Sequence, residues 1–327
     1  MIIIKRHQTN PYFNLATEEY VLKNFHEDSF MLWRNEPSII VGKHQNTLAE
    51  INTEYVNENK IKVVRRLSGG GAVFHDLGNI NFTFISQGEP GTLVDFRKFT
   101  RPIIEVMQKL GIEARFEGRN DLTIDGRKFS GNAEHVFKNR VLHHGTLLFS
   151  AVMADLTGAL KVDPSKFSDK AVKSVRSRVT NISEHLKEPM EIEAFMELVT
   201  QHVHEMYPDA RVIELSDDDH AAIAKMVEEK YATWDWNFGY SPAYDFKKQI
   251  KTSNGGHIEM NLQAENGIIS AARIFGDYFS RKETSELEEK IIGLPHTMDA
   301  IAELAGKIEV QEYFAHVTKD EFITLFF

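Results

Sequence analysis

Apolar residues recur along this chain with two periods, one near 3.6 residues and one of two, so helices and strands are both predicted. Asn10-Pro11 sets an N-cap before a proline at the first helical position, and a helix is expected from there through Leu15, Glu18, Glu19 and Leu22. Short apolar runs at 30–33, 38–41 and 63–66 and alternation at 81–85 and 142–148 read as strands. The stretch 96–110 is an amphipathic helix stopped by Gly111, and helices are again predicted over 191–206 and 216–231. Asp125-Gly126 supplies the positive φ angles of a two-residue turn, which makes 122–124 and 127–133 a hairpin. Beyond a tryptophan-rich segment at 233–242, strands over 245–251, 257–263 and 268–275 follow, with Asn266-Gly267 as a turn. Helices over 284–292, 298–305 and 318–326 complete the pattern. The expected class is α+β, with a larger domain over 1–242 and a small α+β domain over 243–327.

Strand alternation carries a chemical reading. Over 127–133 it puts Lys128, Ser130 and Asn132 on one face and Phe129 and Gly131 on the other. His143 and His144 fall on opposite faces of their strand, so they cannot both bind one metal, and the fourteen histidines show no zinc-binding spacing.

Composition narrows the function. The 327 residues carry 38 Lys+Arg against 48 Asp+Glu, a net charge of -10, which opposes a general nucleic-acid-binding surface. There are no cysteines, which removes disulfides, thiolate metal sites and thiol nucleophiles together. No uninterrupted apolar stretch approaches the ~18 residues of a membrane span, and the few apolar residues after Met1 are too short for a signal peptide. A cytoplasmic protein without membrane or nucleic-acid partners is expected.

The densest chemistry lies in Arg65-Arg66-Leu67-Ser68-Gly69-Gly70-Gly71-Ala72-Val73-Phe74-His75-Asp76-Leu77-Gly78-Asn79. Three glycines after a strand let a ligand approach the backbone, and the flanking arginines suggest an anionic one. Neither a P-loop nor a G-x-G-x-x-G spacing is present. Further motifs follow in order: GRNDL ending at Leu122, GRKFSGNA ending at Ala133, HHGT over 143–146, KSVRSRVTN over 173–181 and WDWNFG over 234–239. Together they resemble the lipoate-protein ligases of the biotin/lipoate ligase superfamily, over nearly the whole chain.

The resemblance implies a large mixed-sheet catalytic domain with flanking helices and a small C-terminal accessory domain. It implies a two-step reaction, in which lipoate attacks the α-phosphate of ATP to give lipoyl-AMP and an acceptor lysine then takes the lipoyl group. Positioning and charge stabilisation suffice for both steps, which suits a chain without cysteine. By the same resemblance Lys128 is the catalytic residue, bridging the lipoyl carbonyl and the α-phosphate. The nucleotide is expected against Arg66, Gly71, Ala72, Val73, Phe74, Lys128, Arg176 and Arg178. Lipoate is expected against Ser68, Gly69, Gly70, Gly71, His75, Asn79, Lys128, Ala133 and His144, with an apolar slot from Leu67, Val73, Phe74 and Phe82. Asp121 is the candidate to hold Mg²⁺ or to orient Lys128. ATP, Mg²⁺ and lipoate act as substrates and activator, with no tightly bound prosthetic group. The implied partners are the lipoyl domains of 2-oxoacid dehydrogenase E2 subunits and the glycine-cleavage H protein.

A basic island, Lys161, Lys166, Lys170, Lys173, Arg176 and Arg178, interrupts the acidic chain and, beside the motif over 173–181, is read as an anion-binding loop, and the resemblance implies that this motif folds over the adenylate. Three alternatives share the fold. Octanoyl-transferases use a cysteine thiol that is missing here, biotin ligases carry a differently interleaved glycine loop, and a non-catalytic lipoate-binding protein would have no need of Lys128.

Overall fold

The computed structural model describes residues 1–88, 95–160, 179–252, 257–276 and 280–327, and 167–169 as backbone. The basic island, with Arg176 and Arg178, lies outside the residues whose side chains are described.

In chain order the strands are β1 (Ile2–Ile4), β2 (Ser29–Trp33), β3 (Ser38–Val41), β4 (Lys62–Arg65), β5 (Val73–His75), β6 (Asn79–Gln87), β7 (Ala114–Glu117) and β8 (Asp121–Ile124). They continue with β9 (Arg127–Phe137), β10 (Arg140–Leu148), β11 (Phe167–Asp169), β12 (Arg211–Ile213), β13 (Tyr244–Lys251), β14 (His257–Glu265) and β15 (Ile268–Gly276). The chain divides into two compact units. One contains Met1–Lys43, Ile61–Thr157 and Ser174–Thr233, and the other His44–Lys60, Gly158–Lys173 and Trp234–Phe327.

The first unit is built on a mixed eight-stranded sheet of order β12-β1-β2-β6-β10-β9-β8-β7. β1 runs parallel to both neighbours, and the remaining pairs are antiparallel. One sheet face buries Phe30, Leu32, Ile80, Phe82, Phe84 and Phe129 against Phe99, Ile103, Val106 and Met107 of the helix Phe96–Lys109 and Phe195, Val199 and Val203 of the helix Ile192–Met206. Each such side chain contributes roughly 1.5–3 kcal/mol by leaving water. Gly111, at φ 75, follows the end of the first of these helices, as its sequence predicts.

The other face meets α1 (Pro11–Asn24), where Asn10 Oδ1 accepts from the N–H groups of Tyr12 and Phe13. α1 buries both Glu18 and Glu19, and each is paired. Glu19 takes Lys23, Lys230 and the Tyr231 hydroxyl, and Glu18 reaches into the site described below. The carbonyls at the end of α1 are satisfied by buried Arg140, whose guanidinium donates to Val21, Leu22, Phe25 and Glu27. A three-stranded sheet, β4-β3-β5, carries the glycine run between β4 and β5. The expected helix over 216–231 is a helix only to Met226, opened by a Ser216–Asp219 capping box, and widens into a π-turn over Val227–Tyr231.

The second unit has the sheet β11-β13-β14-β15, with Asn266 and Gly267 at φ 50 and 71 in the predicted turn. The helix Thr284–Ile291 packs on β15. Buried His296 accepts the Tyr244 hydroxyl at Nδ1 and donates from Nε2 to the Phe326 carbonyl. Two short helices, Thr47–Glu50 and Thr53–Glu58, also belong to this unit and were not foreseen. Thr47 Oγ1 donates to the Asn237 carbonyl, which ties this early segment to the tryptophan-rich one. The architecture is α+β, as expected.

Candidate active site

The glycine run is shaped by the arginines that precede it. Arg65, wholly buried, donates to the carbonyls of Gly42 and Lys43. Arg66 donates from Nε to Ser68 Oγ, from Nη1 to the Ile40 carbonyl and from Nη2 to the carbonyls of Gly69 and Gly71. Burial lowers its pKa to about 10, against the pull of Glu18 and with the push of Arg65. Its donors therefore turn inward and hold the loop. Gly70 takes φ 94, and its carbonyl lies where a Cβ on Gly42 would stand, so two glycines allow the loop to press on the end of β3. Gly69 and Gly71 are half-buried, Gly70 is exposed, and Ala72 and Phe74 are buried with Val73 half-buried.

β9 corrects the alternation read from sequence. Leu122 pairs with Ser130 but Thr123 pairs with Lys128, so Phe129 is the extra residue of a β-bulge. Phe129 and Ser130 are both fully buried, and Asn132 Nδ2 donates to Ser130 Oγ. Lys128 is turned away from them, onto the side of Gly131. Its Nζ lies 2.8 Å from Asp121 Oδ1, with the two side chains 26 % and 32 % exposed. Asp121 is opposite Gly131 in the register, and Gly131 N–H donates to Thr146 Oγ1. The Lys128 carbonyl accepts from the Thr180 N–H, so its main chain is held from a second side.

The two neighbouring histidines part as predicted. His143 is buried among Phe82, Phe96 and Phe99, with Nε2 on Asn132 Oδ1 and Nδ1 on Glu134 Oε1. Phe82 belongs to that core face, so it is not part of a slot on the opposite side. His144 is opposite Thr83 on β6 and Ala133 on β9, and therefore shares their face. Its Nδ1 lies 3.0 Å from both oxygens of Glu18 and its Nε2 2.6 Å from Ser68 Oγ. Trp33 Nε1 donates to Thr83 Oγ1, which donates to Glu18 Oε1. One chain of hydrogen bonds thus runs from Trp33 through Thr83, Glu18, His144 and Ser68 to Arg66. Glu18, Thr83 and Trp33 were missed by the motif reading. The available signal was two adjacent glutamates in a helix too apolar to leave both in water.

His75 is buried, with Nδ1 accepting from Asn35 Nδ2 and Nε2 without a partner among the described residues. Burial, with Arg66 and His144 nearby, pushes its pKa down to about 3, so the ring is neutral. Asn79, fully buried, donates to Asn81 Oδ1. Among the described residues, no three His, Asp or Glu side chains gather as a metal site. Ser68, Gly69, Gly70, Ala133, His144 and Lys128 all lie in the first unit.

Residues 10–204 match the family model of the lipoyl protein ligase A/B catalytic domain, and residues 241–326 that of the bacterial lipoate protein ligase C-terminus. The chain belongs to the lipoate-protein ligase family. It is 42% identical over 332 residues to the lipoate-protein ligase LplJ of Bacillus subtilis, covering 100% of both chains. It is 41% identical to lipoate-protein ligase 1 of Staphylococcus aureus, covering 97% of each. The solved structure of LipL1 of P. falciparum, in complex with lipoate, is 27% identical and superimposes with a TM-score of 0.64, covering 94% of each chain. As an enzyme of the lipoate-protein ligase family, the chain carries Lys128 on the bulged strand β9 and its glycine run between two strands of the small sheet.

Proposed function

We propose that this enzyme activates lipoate with ATP to lipoyl-AMP and pyrophosphate, and passes the lipoyl group to a lysine of a lipoyl-domain acceptor. The observation that supports this reading most is the setting of Lys128. Its ammonium is half-buried, fixed by one carboxylate and free of the sheet core, so it can meet oxygens arriving on two different groups. In adenylation it would balance charge developing at the α-phosphate and the carboxylate, and in transfer the charge on the acyl oxygen. Arg66 acts through the shape of the glycine run, whose backbone is left accessible at Gly69 to Gly71 for the adenylate. Ser68, Ala133 and His144, with Asn79 and His75 behind them, form the lipoate side.

Magnesium would arrive with the nucleotide phosphates. Asp121 is the carboxylate beside Lys128 that could take one of its coordination positions, and such an ion would neutralise phosphate charge. The acceptors proposed are E2 lipoyl domains and the glycine-cleavage H protein, and the expected location is the cytoplasm. No helix among the described residues is long and apolar enough to cross a membrane.

The test is lipoate-dependent ATP–pyrophosphate exchange, joined to mass spectrometry of acceptors incubated with enzyme, ATP, Mg²⁺ and lipoate. Lipoylation is expected only when all three small molecules are present. Modification without ATP would overturn the proposal.

A further inference from the structure

We infer that Gly131 is a positioning residue for Lys128: it is glycine so that the lysine side chain can lie flat across it to reach Asp121. This rests on the reading of Lys128 as the catalytic residue. A Cβ built on Gly131 would stand 2.9 Å from both Cε and Nζ of Lys128, closer than real carbon contacts come. The next neighbour, Thr146 Oγ1, is 4.0 Å away and in ordinary contact. Gly131 is not among the residues with positive φ, so its backbone makes no demand for glycine. The close contact with Lys128 is therefore the structural reason for a missing side chain here.

The bulge explains the arrangement. With Phe129 inserted, Lys128 and Gly131 come to one side of β9, and Asp121, opposite Gly131, offers its carboxylate at 2.8 Å from Nζ. The Lys128 backbone is held by its register with Thr123 and by the Thr180 N–H, and cannot retreat. Gly131 is itself bonded to Thr146. A methyl group at 131 must then be relieved by the flexible end of the lysine, a displacement cheap for the fold and costly for the ammonium. A shift on the order of 1 Å at a reacting group costs ~10²-fold in rate.

The experiment measures ATP–pyrophosphate exchange and transfer from supplied lipoyl-adenylate to a lipoyl domain, with the full-length enzyme. The variants are Gly131→Ala, Lys128→Ala and the double variant. Gly131→Ala is expected to lower kcat by ~10²-fold in both reactions with little change in thermal midpoint. In the Lys128→Ala background the same substitution is expected to change the residual activity less than twofold. Near-normal kcat in Gly131→Ala, or an equal loss in both backgrounds, would overturn the inference. If Gly131→Ala does not fold, the double variant decides: folding restored by removing the lysine side chain supports the clash with Lys128, and no restoration refutes it. If Lys128→Ala is itself fully active, the reading of Lys128 fails, and with it the functional role assigned to Gly131, whereas a dead Lys128→Ala beside a normal Gly131→Ala sinks the inference alone.

Discussion

Lys128 Nζ rests 2.8 Å from Asp121 Oδ1, an ion pair across neighbouring strands with both partners about a third exposed or less. At that exposure the pair adds little to stability, and on the proposed reading it aims the ammonium. Lys128→Ala is expected to fold normally and to lose at least ~10²-fold in both half-reactions, the scale of removing one electrostatic stabiliser. Pyrophosphate exchange near the wild-type rate would move the central role to another residue.

The Glu18–His144–Ser68 chain predicts a binding phenotype. Glu18 accepts from Thr83 and from His144 Nδ1, which leaves Nε2 facing the serine hydroxyl. Glu18→Gln removes the charge that fixes the ring, and the KM for lipoate is expected to rise about tenfold, the worth of one charge-assisted hydrogen bond. The rate with supplied lipoyl-adenylate, saturating in acceptor, should change much less. Equal losses in both assays would show that Glu18 serves the fold instead.

Arg140 predicts a stability loss without a direct chemical one. Its guanidinium serves four carbonyls in the last turn of α1 and just beyond it, and α1 is the helix that delivers Glu18. Arg140→Met should cost about 2–4 kcal/mol by leaving buried carbonyls unpaired, measured as a shift in urea midpoint. Amide exchange should quicken first at Val21 to Phe25. Unchanged exchange there would contradict the assignment.

His143 and Glu134 predict a pH dependence. Burial holds the His143 pKa well below its ordinary value, with His144 adding to the effect, and the neutral ring donates from Nε2 to Asn132. Nδ1 is then an acceptor, and the Glu134 oxygen 2.9 Å away must supply the proton. Consistently, burial raises Glu134 to about 7, partly offset by a bond from the Asp95 backbone. A carboxyl raised above its unfolded value of 4.5 gives stability that is fully present below that value and is lost as pH rises through about 7. Glu134→Gln keeps a donor to Nδ1 and does not titrate. Its stability relative to wild type should improve by on the order of 1.4 kcal/mol per pH unit between pH 5 and 7, then level off. Urea unfolding across that range checks it, and a pH-independent difference would refute the shared proton.

Much of the element order was legible because turns and caps act over a few residues. Asp125-Gly126 and Asn266-Gly267 take the positive φ angles that their chemistry permits, and Asn10-Pro11 caps α1, whatever the rest of the chain does. The separation of His143 from His144 was legible for the same reason, since side chains alternate along any regular strand. β1 was less so, because a three-residue strand of isoleucines between parallel neighbours carries no period of its own.

Sequence alone determined the α+β class, the exclusion of thiol chemistry and the motif set that marks the family. Tertiary structure decided which way the chemistry faces. Lys128 lies with Gly131 because one extra residue, Phe129, is absorbed where β9 meets β8, and a bulge depends on the partner strand as much as on its own residues. Glu18 joins His144 because α1 packs on the sheet across a gap of 126 residues, a pairing that burial enforces and that local propensity cannot encode.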